Sequence, residues 1–201
     1  MRGGGRAGRF GEGGHAGGHP GGSVEKLRDG DVLDKKKVMA AGSATDETML
    51  TALGDSGLGV LSFFPWSQAL DTAENRDFVQ RMTRMTKKEY VGASAAMNYG
   101  AARFVAEAIR QIDGDVENKE KFIQALRTTE IKSSPRGPIK LDRYGHIVQN
   151  IYVRRVDRVG NLYQNTVLET YPAVSQFWTY NPEDYLKQPV YGRDNPACRY
   201  C

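Results

Sequence analysis

Two short apolar runs, each closed by turn residues, constrain the fold of this chain most strongly. They cover residues 38–42 and 58–64. Continuous apolar runs of this length are typical of strands buried on both faces of a parallel sheet. A short helix capped by Thr45 is expected between them, with Asp46 and Glu47 in its first turn, where the helix dipole favours acidic side chains. The order strand, helix, strand predicts an α/β fold.

Three longer helices are predicted to follow the second strand. Thr72 and Asn75 are both suitable caps for the first, which runs to about residue 87, and Asp115 or Asn118 begins the third. The second covers residues 94–112 and repeats apolar side chains every three or four positions. The side chains expected to face inward on the three helices are Phe78, Val79, Met82 and Met85; Tyr99, Ala102, Val105, Ala106, Ile109 and Ile112; and Phe122, Ile123 and Leu126.

The last part of the pattern is β. Residues 137–141 lead into a turn, residues 147–156 alternate apolar and polar with Ile147, Ile151 and Val153 on one parity, and residues 162–171 pair back through a Gly-Asn turn. The chain is therefore expected to be α/β, with parallel sheets flanked by helices and a C-terminal β-hairpin.

Residues 1–22 differ from the rest, because they hold eleven of the 23 glycines. Such a segment cannot offset its backbone entropy by burial, so we expect a disordered leader that is non-native or misassigned. It has no apolar stretch of the kind that a secretory signal needs, so the chain as written would stay in the cytoplasm. Two weaker alternatives are an RNA-binding Arg/Gly tail and a metal contact through His15 and His19.

Composition excludes several classes of protein. No apolar run approaches the roughly 18 residues of a membrane-spanning helix. Two cysteines exclude a disulfide-built scaffold. The net charge of +4 is too small to hold a nucleic acid at physiological salt, so no nucleic-acid partner is expected from the folded part.

No catalytic constellation is visible. Outside the leader the one histidine is His146, after a turn, so Ser-His-Asp, Cys-His and most zinc arrangements are hard to build. We expect no catalytic residue, no metal and no cofactor. Cys198 and Cys201 lie at the extreme C-terminus, where a local disulfide or no role is favoured over redox or metal work. The aromatic and proline-rich tail of residues 173–201 is expected to pack across the body through its rings, rather than to stack nucleic-acid bases.

Several segments together resemble a known family. They are residues 36–47, 57–62, 96–108, 134–142 and 149–154. In this order and spacing they are similar to the C-terminal half of the type I periplasmic solute-binding proteins, the branched-chain amino-acid (Leu/Ile/Val) binding family of ABC importers. The resemblance covers residues 24–172, and the tail is similar to a subset whose ligands are hydrophobic or aromatic acids.

The resemblance implies an incomplete two-lobed fold in residues 23–172, because the family has two α/β lobes joined by three crossover strands. Residues 24–58 would belong to the second lobe, residues 74–128 to the first, and residues 147–171 would complete the second. The family's N-terminal half, which holds the ligand carboxylate, has no counterpart here.

The resemblance also implies a cleft at strand ends and helix starts, where α/β sheets place ligands. The family position that often carries an acidic partner for the ligand amine falls near Gly42, and an aromatic that stacks on the ligand falls near Ser94, so both groups are lost. The residues expected to line the cleft are Gly42, Ser43, Ser62, Phe63, Phe64 and Ser94. Either Phe63 or Phe64 is equally well explained as core.

These observations favour a non-enzymatic, periplasmic solute-binding component of an ABC importer, present as a fragment. Its ligand would be a branched-chain amino acid or a small hydrophobic or aromatic carboxylate, and its partners the importer's membrane subunits. The alternatives are a truncated remnant without independent function, whose helices expose an apolar face, and an RNA-associated protein that uses the Arg/Gly leader.

Overall fold

The fold is a mixed sheet with helices, and the computed structural model describes residues 39–195. Short 3₁₀ turns at Gly42–Thr45, Glu47–Met49 and Gly54–Gly57 flank the first helix. The elements in chain order are β1 (Met39–Ala41), α1 (Leu50–Leu53), β2 (Leu61–Phe64), α2 (Ala73–Thr86), α3 (Ala93–Gln111), α4 (Lys119–Thr128), β3 (Glu130–Ile131), β4 (Ile139–Leu141), β5 (Ile147–Val159), β6 (Leu162–Val174) and α5 (Pro182–Leu186).

Strand β5 organises the sheet. β6 pairs antiparallel along most of one edge of β5. On the other edge β5 carries two strands in succession, β4 beside residues 147–149 and β2 beside residues 152–155, both antiparallel. β1 pairs with β2 in parallel, as the two apolar runs predict, and β3 extends the other end beside β4. The α/β class and the C-terminal hairpin are thus confirmed, in a sheet whose one described parallel pair is β1–β2.

The β5–β6 hairpin is longer than predicted, and its buried face is the other one. Val159 pairs with Leu162 across a two-residue turn in which Gly160 adopts a φ of 61°, a conformation that glycine tolerates well. Ile151 and Val153 are only half-buried, whereas Tyr152, Arg154 and Val156 are buried, so the core lies on the even-numbered side of β5. Sequence alternation identified the strand and assigned its faces incorrectly.

The central core surrounds Trp66, which lies two residues after β2 and is completely buried. Phe78, Ala93 and Tyr152 belong to the same cluster, so α2, α3 and β5 meet there. The indole N–H of Trp66 donates to Asn75 Oδ1 at 2.7 Å. Asn75 is therefore occupied in the core, and the cap of α2 is Thr72, whose hydroxyl accepts from the Asn75 N–H.

Helix α3 buries a different face from the predicted one, so that prediction was wrong. Its buried side chains are mostly small: Ala93, Ala96, Gly100, Phe104 and Ala108. A Cβ at Gly100 would lie 3.1 Å from the Ile139 side chain, which shows how closely α3 approaches β4. Close packing selects small residues there and leaves the larger ones outside.

The predicted inward side chains therefore lie partly at the surface. Tyr99 and Val105 on α3 are each 41% exposed, and Ile123 on α4 is 51% exposed. Ala102 and Ala106 are exposed as well, whereas Ile112 is buried. On α2, Phe78 is buried but Met85 is exposed. We call Tyr99, Val105 and Ile123 the open helix residues; they are exposed apolar side chains on two different helices.

The C-terminal tail contacts the rest of the chain through aromatic rings and an ion pair: the Trp178 ring lies 5.4 Å from that of Tyr171, and Glu183 pairs with Arg143. Phe177 is buried between Tyr144 and Tyr185, with ring centroids 5.3 and 5.6 Å away, so the expected packing through aromatic rings is confirmed there. The tail also forms the short helix α5, whose first turn is capped by Asn181. Trp178 and Tyr180 stay largely exposed.

Two predicted features lie outside the described residues: the leader of residues 1–22 and the pair Cys198 and Cys201. Among the described helices, none combines the length and the hydropathy that crossing a bilayer requires.

The corrected face of α3 predicts a clear contrast between two substitutions. Phe104→Ala should lower the free energy of unfolding by about 3–5 kcal/mol, because it leaves a cavity in a buried cluster. Val105→Ala, at the next position along the helix, should change it by less than about 1 kcal/mol, because Val105 is 41% exposed. Urea denaturation followed by circular dichroism measures both, and equal losses would restore the face predicted from sequence.

Candidate functional site

Three of the six predicted site residues lie together where β1 and β2 end. Gly42 and Ser62 are buried and Phe64 is half-buried, with Ser62 and Phe64 on the same face of β2. A Cβ at Gly42 would overlap the Phe64 ring and lie 2.7 Å from the Phe63 carbonyl oxygen, so only glycine fits at this position. The structure thus joins these residues into one continuous wall.

Ser43 and Ser94 are exposed and are connected through Asp46. The Asp46 N–H donates to the Ser43 carbonyl at 3.3 Å. Asp46 Oδ2 accepts from the Ala93 N–H at 2.9 Å, which caps α3 directly before Ser94. Its Oδ1 accepts from the N–H and the hydroxyl of Thr48. The loop after β1 and the start of α3 are therefore tied together, with a serine exposed on each.

Asp46 also replaces the predicted cap of the first short helix. Thr45 was expected to cap it, but its hydroxyl points inward and donates to Ser62 Oγ at 2.9 Å. Asp46 accepts from Thr48 instead and is the N-cap of the turn that precedes α1.

Phe63 lies apart from the wall, on the opposite face of the sheet, and is 54% exposed. It lines an open, mostly apolar groove of about 510 Å³. The other residues around this groove are Ile151, Val153, Tyr171, Val174 and Trp178. Of the two phenylalanines, Phe64 therefore belongs to the wall, and Phe63 faces away from it.

Arg154 is the group that holds the wall together, and sequence reasoning missed it. Its side chain is completely buried. Nη2 donates to the Gly42 carbonyl and to Ser62 Oγ, both at 3.2 Å, and Nη1 donates to the Trp66 carbonyl at 2.8 Å. The guanidinium also lies over the Phe64 ring, 5.1 Å from its centroid. One cation thereby contacts three of the predicted residues.

The sequence does contain a signal for Arg154. In β5 it shares its parity with Tyr152 and Val156, so once that face is buried the arginine must be buried too. A charged residue between two buried apolar ones requires a partner. Hydrophobicity alone instead predicts that the opposite face, with Ile147, Ile151 and Val153, is the inner one.

Glu47 is the partner of Arg154, 3.4 Å from Nη1, and is itself buried. Burial raises the pKa of Glu47 above its usual 4.5, and this outweighs the opposing effects of Arg154 and of the Gln68 N–H that Glu47 Oε1 accepts. Burial likewise lowers the pKa of Arg154, with Glu47 acting against it. Nearby, Asn165 donates to the Thr45 carbonyl at 2.7 Å. These contacts form a buried polar cluster beside the wall.

Catalytic and metal groups are not gathered at this wall. His146 is exposed in the β4–β5 turn, where its N–H donates to Asp142 Oδ1. Within residues 39–195 no three His, Cys, Asp or Glu side chains are placed to hold a metal ion. The groups available at the strand ends are hydroxyls, backbone and one aromatic ring, which suit binding.

Comparison with known proteins agrees with this architecture. The sequence profile of the family described as periplasmic binding protein matches residues 16–161 of the 201-residue chain. The Leu/Ile/Val-binding protein homolog 6 of Brucella abortus (strain 2308) is 32% identical over 142 residues, which are 67% of this chain and 35% of the relative.

Solved structures give the same result. An ABC transporter substrate-binding protein from Sphaerobacter thermophilus superposes with a TM-score of 0.71 at 26% identity, over 77% of this chain and 42% of that one. A solute-binding protein of an ABC transporter from Rhodopseudomonas palustris BisB5, in complex with 3,4-dihydroxybenzoic acid, gives 0.69 at 28% identity, over 78% and 43%. The chain spans less than half the length of these relatives.

The contact between Gly42 and Phe64 can be tested by adding one methyl group. Gly42→Ala should lower the free energy of unfolding by about 1–3 kcal/mol, because the ring must move out of a packed position. Gly192→Ala is the control, since no atom lies within 4 Å of its added Cβ. Urea denaturation measures both variants, and an unchanged midpoint for Gly42→Ala would show that the wall is loosely packed.

The raised pKa of Glu47 predicts a pH dependence of stability. The native carboxyl binds its proton more tightly than the unfolded one, so its contribution is complete below pH 4.5 and is lost as the pH rises through the raised pKa. Relative to Glu47→Gln, the wild-type free energy of unfolding should therefore fall with rising pH, with a slope that approaches about 1.4 kcal/mol per unit. Parallel curves for the two proteins, measured by urea denaturation, would contradict this.

Proposed function

Because the chain belongs to the periplasmic binding protein family, we propose that it acts in solute binding for an ABC-type importer, by holding a small hydrophobic or aromatic carboxylate in a cleft. The observation that carries this proposal is the position of the wall. Gly42 and Phe64 end two neighbouring strands, and Asp46 brings Ser43 to the start of α3, which carries Ser94. Strand ends and helix starts are where α/β proteins bind ligands.

The expected site is thereby divided into contacting and supporting residues. Ser43 and Ser94 expose hydroxyls, and Phe64 offers part of a ring. Gly42 and Ser62 are the buried members of the wall and support it without being exposed. Phe63 is the weakest member of the predicted set, since it lies on the other face of the sheet.

An acid without an amine is favoured over a branched-chain amino acid. An ammonium group needs an acidic acceptor, and no carboxylate follows β1 at Gly42. Within the described residues, both Asp46 oxygens already accept hydrogen bonds, and Glu47 is buried beside Arg154. The relative from Rhodopseudomonas palustris, named as bound to 3,4-dihydroxybenzoic acid, supports this ligand class. The Brucella relative, named as a Leu/Ile/Val-binding protein homolog, supports the amino acid as the alternative.

A second candidate is a remnant with no independent binding function. The observation that favours it is the exposure of the open helix residues, since Tyr99, Val105 and Ile123 are all more than 40% exposed. A packing partner or a second copy of the chain would cover apolar side chains of this kind. In that case the chain binds dyes that recognise apolar surface and oligomerises, without responding to any solute.

A thermal-shift experiment on the 201-residue chain separates the two candidates. 4-Hydroxybenzoate at about a hundred times its dissociation constant should stabilise the chain by about 2.7 kcal/mol, since it binds only the folded state. L-Leucine should stabilise it less, and glycerol at equal concentration is the control. Stabilisation by leucine alone would reverse the ligand class. No stabilisation by either, together with concentration-dependent light scattering, would favour the remnant.

A further inference from the structure

Arg154 contacts two segments that the chain brings together from different directions. The first is the loop after β1, through the Gly42 carbonyl and Thr45. The second consists of residues 62–66, the end of β2 and its continuation, which we call the crossover; Arg154 contacts it through Ser62 and the Trp66 carbonyl. Only the planar, five-donor guanidinium can serve acceptors on both segments at once.

A gain in stability alone does not explain the buried ion pair of Arg154 and Glu47. Arg154 and Glu47 are both almost completely buried, and their desolvation offsets much of their mutual attraction. Arg154 Nε and Glu47 Oε2 find no hydrogen-bond partner among the described residues. A neutral, well-packed pair is often as stable as a buried ion pair. What the ion pair adds is a fixed geometry.

That geometry reaches the proposed cleft wall through Phe64. The Arg154 guanidinium lies over its ring, 5.1 Å from the ring centroid, and Gly42 packs against the same ring so closely that no Cβ would fit. Ser43 follows Gly42 directly, so the same contact sets where its hydroxyl stands. A displacement of the guanidinium would move both groups.

We propose that Arg154 is a positioning residue of the solute cleft. It fixes the loop of residues 42–47 against the crossover of residues 62–66, so that Ser43 and Phe64 keep fixed positions toward the ligand. Its role toward a ligand rests on the proposed function. Its role in fixing the loop does not, and it can be tested without any ligand.

The test is native-state amide hydrogen exchange on the full 201-residue chain. Arg154→Lys keeps the positive charge beside Glu47. It replaces the planar guanidinium, whose nitrogens donate in several directions, by a single ammonium nitrogen. Exchange in peptides from residues 42–49 should become about tenfold faster. Peptides from the hairpin tip, residues 158–163, should keep their rates. A merely structural residue would instead raise exchange in both regions together.

The control is Arg155→Lys, because Arg155 neighbours Arg154 on the opposite face of β5 and pairs with Asp157 at the surface. It should leave both regions unchanged. If Arg154→Lys does not fold, the double variant Arg154→Met with Glu47→Gln removes both buried charges and is read in the same way. The proposal is overturned if the variant that folds exchanges residues 42–49 at the wild-type rate. It is also overturned if exchange at the hairpin tip accelerates by the same factor as in residues 42–49.

A measurement of ligand binding by the same variants distinguishes this proposal from the proposed function. If the wild-type chain binds 4-hydroxybenzoate, Arg154→Lys should weaken binding at least tenfold in calorimetry, while Arg155→Lys should not. If the wild-type chain binds no solute, the proposed function fails. The exchange experiment still decides whether Arg154 fixes the loop.

Discussion

Most of the described structure depends on the backbone pairing of one strand. β5 is paired along one edge with β6, and its other edge receives β4 near the start and β2 further on. The segment from α2 to α4 lies between β2 and β4 in sequence, so those helices are anchored at both ends on the same strand. β2 and β4, which are separated by more than seventy residues in sequence, are therefore held by the same strand.

The second consequence of this pairing is that a side chain in β5 can reach both connections. Arg154 lies opposite Ser62 in the β2–β5 register, beside the end of β1 and the beginning of the crossover. Its burial is possible only because the loop after β1 folds back with carbonyl and hydroxyl oxygens directed at it. The register of β2 on β5 therefore places Arg154 in the polar cluster, and the hydrogen bonds of the cluster in turn stabilise that register.

Local signals predicted the elements well. Turn chemistry at Gly160, the caps Thr72 and Asn118, and the paired apolar runs gave the hairpin, the helices and the parallel pair. They predicted the wrong buried face for β5 and α3, because a hydrophobicity pattern is dominated by the large apolar side chains. α3 packs through residues such as Gly100, which allow close approach and carry almost no hydrophobic signal.

The site shows the same division. Strand ends correctly indicated that Gly42, Ser62 and Phe64 meet, since strand direction alone brings them to one edge. Arg154, Glu47 and Asn165 were not predicted, because a charged or amide side chain is assigned to solvent until the fold supplies its partners. Arg154 and Asn165 come from one hairpin, whereas their partners Glu47 and Thr45 lie more than a hundred residues earlier in the sequence.

The chain carries two tryptophans, and the fold gives them opposite surroundings. Trp66 is sealed in the core at the end of the crossover, whereas Trp178 is 52% exposed at the rim of the groove on the other sheet face. Their fluorescence is therefore separable: an aqueous quencher such as iodide reaches the indole at the rim and leaves the sealed one emitting. The molecule thus has a built-in optical probe for each side of its sheet, without any added label.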